Sequence, residues 1–174
     1  EEFDRRILLL GDSVTFGFGV TVEQSFAHCL ERRSNGRVDV LNGGVGGYST
    51  VDEAAWLAAR GAGLDPDLIV LAYSLNDAET RPIQPLQSHF AVVAWWQHSH
   101  LLRLAAQAWV AAQEKRFGDG SYYRALYRNP RSWEITAEAL RRIAAVARGM
   151  GVPVLLVQIP VLVDGAWREE RYVY

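Results

Sequence analysis

Cysteine and lysine are almost missing from this chain. A single cysteine, Cys29, stands among 174 residues, which excludes an internal disulfide and any zinc site built on cysteines. Lys115 is the one lysine, so the other seventeen of the 18 basic residues are arginines (18 − 1). Against 20 acidic residues they leave a net charge of −2, and no basic run occurs, so nothing marks a nucleic-acid partner. No apolar stretch is long and unbroken enough to serve as a transmembrane segment. Glu1 stands where an initiator Met is expected, and no leader-like segment precedes the first apolar run. Both features predict a processed or excised piece of something longer, and the compartment stays open. What is present is an ordinary globular composition, 49% hydrophobic and 22% charged, on a length that suits one domain over 1–174.

The organising stretch is Ile7-Leu8-Leu9-Leu10-Gly11-Asp12-Ser13. Its aliphatic run predicts a strand over Arg5 to Leu10, buried on both faces. Thr21 and Gln24 predict a capping box for a following helix that carries Phe26, Cys29 and Leu30 on one face. Val38 to Leu41 reads as a second strand. Thr50 and Glu53 predict a second capping box, with Ala54, Leu57 and Ala58 as the buried face of its helix. Leu68 to Ala72 is a third strand. Asn129-Pro130 and Ser132 start a long helix with Ile135, Leu140, Ile143 and Ala147 inward, stopped by Gly149 and Gly151. Val152 to Ile159 is a fourth strand. Strand and helix alternate, which predicts an α/β fold: a parallel sheet with right-handed crossovers and helices on both faces.

In such a sheet the carboxyl ends of the strands form the ligand-binding edge. Three of them carry polar or glycine loops: Ser13 after the first, Asn42-Gly43-Gly44-Val45-Gly46-Gly47 after the second, and Ser74-Leu75-Asn76-Asp77 after the third. Convergence there puts a hydroxyl, a glycine loop and a side-chain amide together. Each has a plainer reading: Ser13 as a helix cap, Asn76 as a turn former, the glycine loop as a phosphate cradle. The loop lacks a full Gly-x-Gly-x-x-Gly and a P-loop lysine, which weighs against a nucleotide-binding α/β domain.

A segment at about 82–129 is not required by the α/β repeat and reads as a helical insertion. From His89 to Ala112 its polar residues recur every three to four positions, which predicts an amphipathic helix with a wide apolar face. That helix would pack on the body or form a homodimer contact through 89–112. Alternatively, Trp95, Trp96 and Trp109 would line an apolar channel for substrate. His98 and His100, two residues apart, do not share a helix face, so they make no metal site. No metal or other cofactor is expected.

Gly11-Asp12-Ser13, Asn42-x-Gly44-x-x-Gly47 and Asn76-Asp77, in that order and each at a strand end, resemble the first three blocks of the SGNH, or GDSL, hydrolase family. The similarity runs over most of residues 5–80 and resumes weakly at 132–160. The resemblance implies a three-layer α/β/α sandwich with flavodoxin-like strand order. It implies a serine ester hydrolase of the esterase, lipase or acylhydrolase kind, acting through an acyl-enzyme on a small-molecule, lipid or carbohydrate ester. Ser13 then corresponds to the nucleophile. The backbone N–H groups of Ser13 and Gly47 and the side chain of Asn76 correspond to the oxyanion donors, and Asp12 and Asp77 support the neighbouring loops. The alternative within the same fold is a binding module without catalysis.

Two positions depart from the family. Ser74 stands where the third block usually has glycine. The Asp-x-x-His block near the C-terminus is missing: of the four histidines, His28, His89, His98 and His100, none has an aspartate three residues before it. Asp164-Gly165-Ala166-Trp167 has the spacing but ends in tryptophan. The expectation is a chain that stops before a fifth strand, its catalytic loop and a last helix.

Overall fold

A computed structural model describes residues 3–78 and 126–159, together with the backbone at 162–163 and 166–167. The chain runs β1 (Arg5–Gly11), α1 (Ser13–Phe16), α2 (Phe26–Arg33), β2 (Val38–Gly44), α3 (Thr50–Arg60), β3 (Leu68–Tyr73), α4 (Pro130–Met150) and β4 (Val154–Gln158). A two-residue antiparallel pair follows, β5 (Leu162–Val163) with β6 (Ala166–Trp167). The expected insertion and its three tryptophans, with the helix at 89–112, lie outside the described residues.

The four long strands form one parallel sheet in the order β2-β1-β3-β4. This is the flavodoxin-like order, reached by crossovers that place helices on both faces. Alternation along β1 divides the core. Leu8 and Leu10 point to one face with Ile69 and Leu71, where they meet Ala54 and Leu57 of α3 and Ala139, Ile143 and Ala147 of α4. Leu9 points to the other face, with Val40 and with Ala27 of α2. The fold is therefore a three-layer α/β/α sandwich.

Local details moved where packing overrode pattern. The Thr21–Gln24 box forms, with Gln24 Oε1 accepting from the Thr21 N–H at 3.1 Å, but it caps only a 3-10 turn over Val22–Gln24. The backbone then extends at Ser25, which caps α2 afresh. The second box falls one residue early: Ser49 is the N-cap, and Asp52 Oδ2 accepts from the Ser49 N–H at 3.0 Å. That shift turns Thr50 and Glu53 inward instead of using them as caps. Ala58 is exposed, as is Ile135 of α4. The inward row of α4 is Ser132, Thr136, Ala139, Ile143 and Ala147. Mostly small side chains on that row let the helix axis come close to α3 and the sheet.

Candidate active site

The site begins where β1 ends. Asp12 is the N-cap of α1, and its Oδ1 accepts from the Val14 N–H at 2.9 Å. Ser13 is the first residue of that short helix and is half-buried. A carboxylate at a cap satisfies a backbone donor that the helix leaves open. Strand, sharp turn and helix thus present the Ser13 hydroxyl at the carboxyl edge of the sheet.

The loop after β2 lies against this turn. The Val45 N–H donates to the Gly11 carbonyl at 3.0 Å. Asn42 ties the two loops together, with Nδ2 donating to the Thr15 carbonyl at 3.0 Å and Oδ1 accepting from the Gly44 N–H at 3.0 Å. Gly44 is pressed against the α1 backbone: a Cβ there would lie 2.7 Å from the Thr15 carbonyl carbon and would collide with the Phe16 nitrogen. Farther along, a Cβ on Gly46 would sit 3.9 Å from Ser13 Cβ, so the loop passes beside the serine. Gly47 has φ +83, a left-handed conformation natural to glycine, and it is exposed.

β3 delivers the third part. A 3-10 turn over Leu75–Ala78 follows it, closed by Ser74 and Asp77: Asp77 Oδ2 accepts from the Ser74 N–H at 2.6 Å. Thr50, fully buried on α3, donates from Oγ1 to the Asp77 carbonyl at 3.1 Å. Asn76 Nδ2 donates to Asp12 Oδ2 at 2.9 Å. An amide nitrogen carries two N–H donors, so one remains available once Asp12 takes the other. Asp12 therefore joins the loops that carry Ser13 and Asn76. Ser74 is buried, and its Oγ has no hydrogen-bond partner among the described residues.

α3 adds a buried acid that the sequence does not single out for this role. Glu53 of α3 is 1% exposed, and neither of its carboxylate oxygens has a hydrogen-bond partner among the described residues. Burial pushes its acid up to about 8, and the nearby Asp12 and Asp52 charges add to the shift. Tyr73, at the end of β3, is pushed up to about 12 by burial, against the hydrogen bond from the Tyr127 hydroxyl at 2.7 Å; the Asp77 and Glu53 charges raise it further. In sequence, Glu53 reads as half of a capping box. Only the one-residue shift of the cap, together with the meeting of β1 and β3, makes it buried.

The structure thus brings Asp12, Ser13, Gly46, Asn76 and Asp77 to one edge and ties most of them by named bonds. His28 is the one histidine among the described residues. It lies on α2, with Nδ1 4.0 Å from Glu31 Oε2. His89, His98 and His100 lie outside the described residues, as do Trp95, Trp96 and Trp109. Among the described residues, no cluster of three metal-binding side chains occurs, and no helix is long and apolar enough to cross a membrane.

A parallel α/β/α sandwich with a Gly-Asp-Ser turn after its first strand is the architecture of the SGNH hydrolases. The chain belongs to the GDSL-like Lipase/Acylhydrolase family, whose model matches residues 9–173. A single-residue mutant of the esterase AlinE4 shares the fold at 17% identity and a TM-score of 0.51, over 95% of this chain. The chain spans 65% of the length of that esterase. Two further structures align more loosely. TesA does so at 20% identity and a TM-score of 0.40, over 86% of this chain and 77% of its own. The psychrotrophic esterase EstA from Pseudoalteromonas sp. does so at 11% identity and a TM-score of 0.40, over 88% of this chain and 78% of its own. No curated protein sequence matches the chain.

Proposed function

We propose that the protein is a serine ester hydrolase that works through an acyl-enzyme on Ser13. One observation supports this above the rest. The Asp12 carboxylate accepts from the Val14 N–H and from the Asn76 amide, each at 2.9 Å, so one side chain fixes both the turn under Ser13 and the amide of a second strand end. That pairing suits acyl transfer, which needs a nucleophile and preset donors on one carbonyl.

Ser13 Oγ attacks the ester carbonyl carbon, and its proton passes to a histidine base. The carbonyl oxygen becomes an oxyanion and takes hydrogen bonds from the Ser13 N–H, the Gly47 N–H and the second N–H of Asn76 Nδ2. Such donors stand roughly 3 Å from the developing charge. The bond to the alcohol oxygen then breaks, and the alcohol leaves with the proton held by the base. Water attacks the acyl carbon under the same base, the acid departs and Ser13 regains its proton. The base and its aspartate are the pair that the family's Asp-x-x-His block implies, and His28 on α2 is assigned no part.

Hydrolysis of a short-chain nitrophenyl ester by the natural full-length protein tests this. Ser13→Ala is expected to lower kcat by at least about 1,000-fold, and Asn76→Ala by about 100- to 1,000-fold. A fluorophosphonate should label the wild type once and leave Ser13→Ala unlabelled. Equal ester turnover by wild type and Ser13→Ala overturns the assignment.

A further inference from the structure

Glu53 is a buried acid that this reaction leaves without a task. Its helix is tied to the site by Thr50, one turn earlier, whose Oγ1 donates to the Asp77 carbonyl at 3.1 Å, and the charges of Glu53 and Asp77 act on Tyr73 as those of Asp12 and Asp52 do on Glu53. The charged residues of α4 give it no counter-ion: Arg131, Glu134, Glu138, Arg141, Arg142 and Arg148 all lie on the exposed side. Among the described residues, the arginines that form ion pairs are engaged elsewhere: Arg5 with Asp67 at 3.2 Å, Arg6 with Asp39 at 2.6 Å and Arg141 with Glu138 at 3.0 Å. Asp12 itself is 2% exposed and uses both oxygens as acceptors. Two buried carboxylates that act on each other, with no cation beside them among the described residues, do not both ionise without a large penalty.

We propose that Glu53, the buried and unpartnered carboxyl of α3 among the described residues, is a positioning residue for the oxyanion side of the site: it leaves the Asp12 carboxylate undisturbed in its bonds to the Asn76 amide and the Val14 N–H. Loss of the Glu53 proton adds a second negative charge that acts on Asp12. Repulsion then strains both Asp12 hydrogen bonds and frees the Asn76 amide from its set orientation. The consequence for turnover rests on Asn76 acting as an oxyanion donor; the consequence for the Asn76 amide itself does not.

The direct test follows the side-chain amide signal of Asn76 by nitrogen-15 NMR from pH 6 to 9.5, in the full-length protein, with the signal assigned by its loss in Asn76→Ala. In the wild type it should shift with a midpoint near 8, the value set by burial of Glu53. In Glu53→Gln, a neutral side chain of the same shape, it should stay put. In parallel, wild-type kcat/KM should fall about tenfold per pH unit above that midpoint, while Glu53→Gln keeps its neutral-pH turnover. Glu53→Leu, also without an ionisable group, serves if the glutamine variant fails to fold. An Asn76 signal that is flat in the wild type overturns the proposal, as does one that moves identically in Glu53→Gln. An Asn76 signal that titrates as expected in a protein without ester turnover sustains the Glu53 link and sinks the hydrolase reading instead.

Discussion

β1 and β4 are written in nearly the same alphabet, Ile-Leu-Leu-Leu in one and Val-Leu-Leu-Val in the other, and they belong to one sheet. Their surroundings differ sharply. Leu8, Leu9 and Leu10 are 0–4% exposed between two partner strands and two helical layers, whereas Val154 to Val157 of β4, which has one partner strand among the described residues, are 36–51% exposed within the 1–174 chain. An aliphatic run encodes a strand; its neighbours decide how much that strand contributes. The functional loops follow the same division. Ser13 and Asn76 hang from β1 and β3, the two inner strands of the sheet, where a rigid base holds their geometry.

The sharpest way to break this contrast is truncation at the centre. Leu8→Ala should cost about 3–5 kcal/mol in chemical denaturation, because a fully buried leucine leaves a cavity between tightly packed layers. Next comes the buried acid of α3. Between its ordinary value of 4.5 and about 8, Glu53 is protonated when folded and ionised when unfolded. The folded state binds the extra proton, so this group's contribution is full below 4.5 and is lost as pH rises through 8. Glu53→Gln should therefore gain on the wild type from pH 5 to pH 8.5, by on the order of 3 kcal/mol in paired unfolding curves. An unchanged difference would mean that Glu53 is solvated or paired.

Gly44→Ala probes the crowded contact between the β2 loop and α1. It should cost about 1–3 kcal/mol, since backbone rather than a flexible side chain meets the new methyl group. The smallest effect in the 1–174 chain belongs to β4: Leu155→Ala there should cost less than about 1 kcal/mol. A loss there equal to that of Leu8→Ala would erase the distinction between the two strands.

Much of the fold was legible because it is written locally. Aliphatic runs mark four strands, and Asn129 marks the start of α4, while α2 and α3 start from Ser25 and Ser49 and not from Thr21 and Thr50. Parallel order follows from the alternation alone. The three blocks at the strand ends were legible for the same reason, each being a short word next to its strand. What escaped reading was non-local. Whether Ser49 or Thr50 caps α3 depends on which side chain fits under the Asp77 turn, and Glu53 acquires its burial only from that choice. The inward row of α4 was misread at Ile135 because closeness of helix packing, not hydrophobicity alone, selects Ser132, Thr136 and Ala139. Asn42 was visible in its motif, but its task of stapling the Thr15 carbonyl needs the distance between two loops.

Parallel strands meet only after long crossovers have closed, and each closure spends chain entropy before any contact repays it. The edge that gathers Ser13, the glycine loop and Asn76 is therefore complete only once β1, β2 and β3 are all in place. It comes into being when the last of three strands docks. A reagent that reacts stoichiometrically at that edge would count folded molecules and ignore all others. In any preparation of this protein, the fraction titrated would be a measure of folding yield, independent of how fast the site turns over.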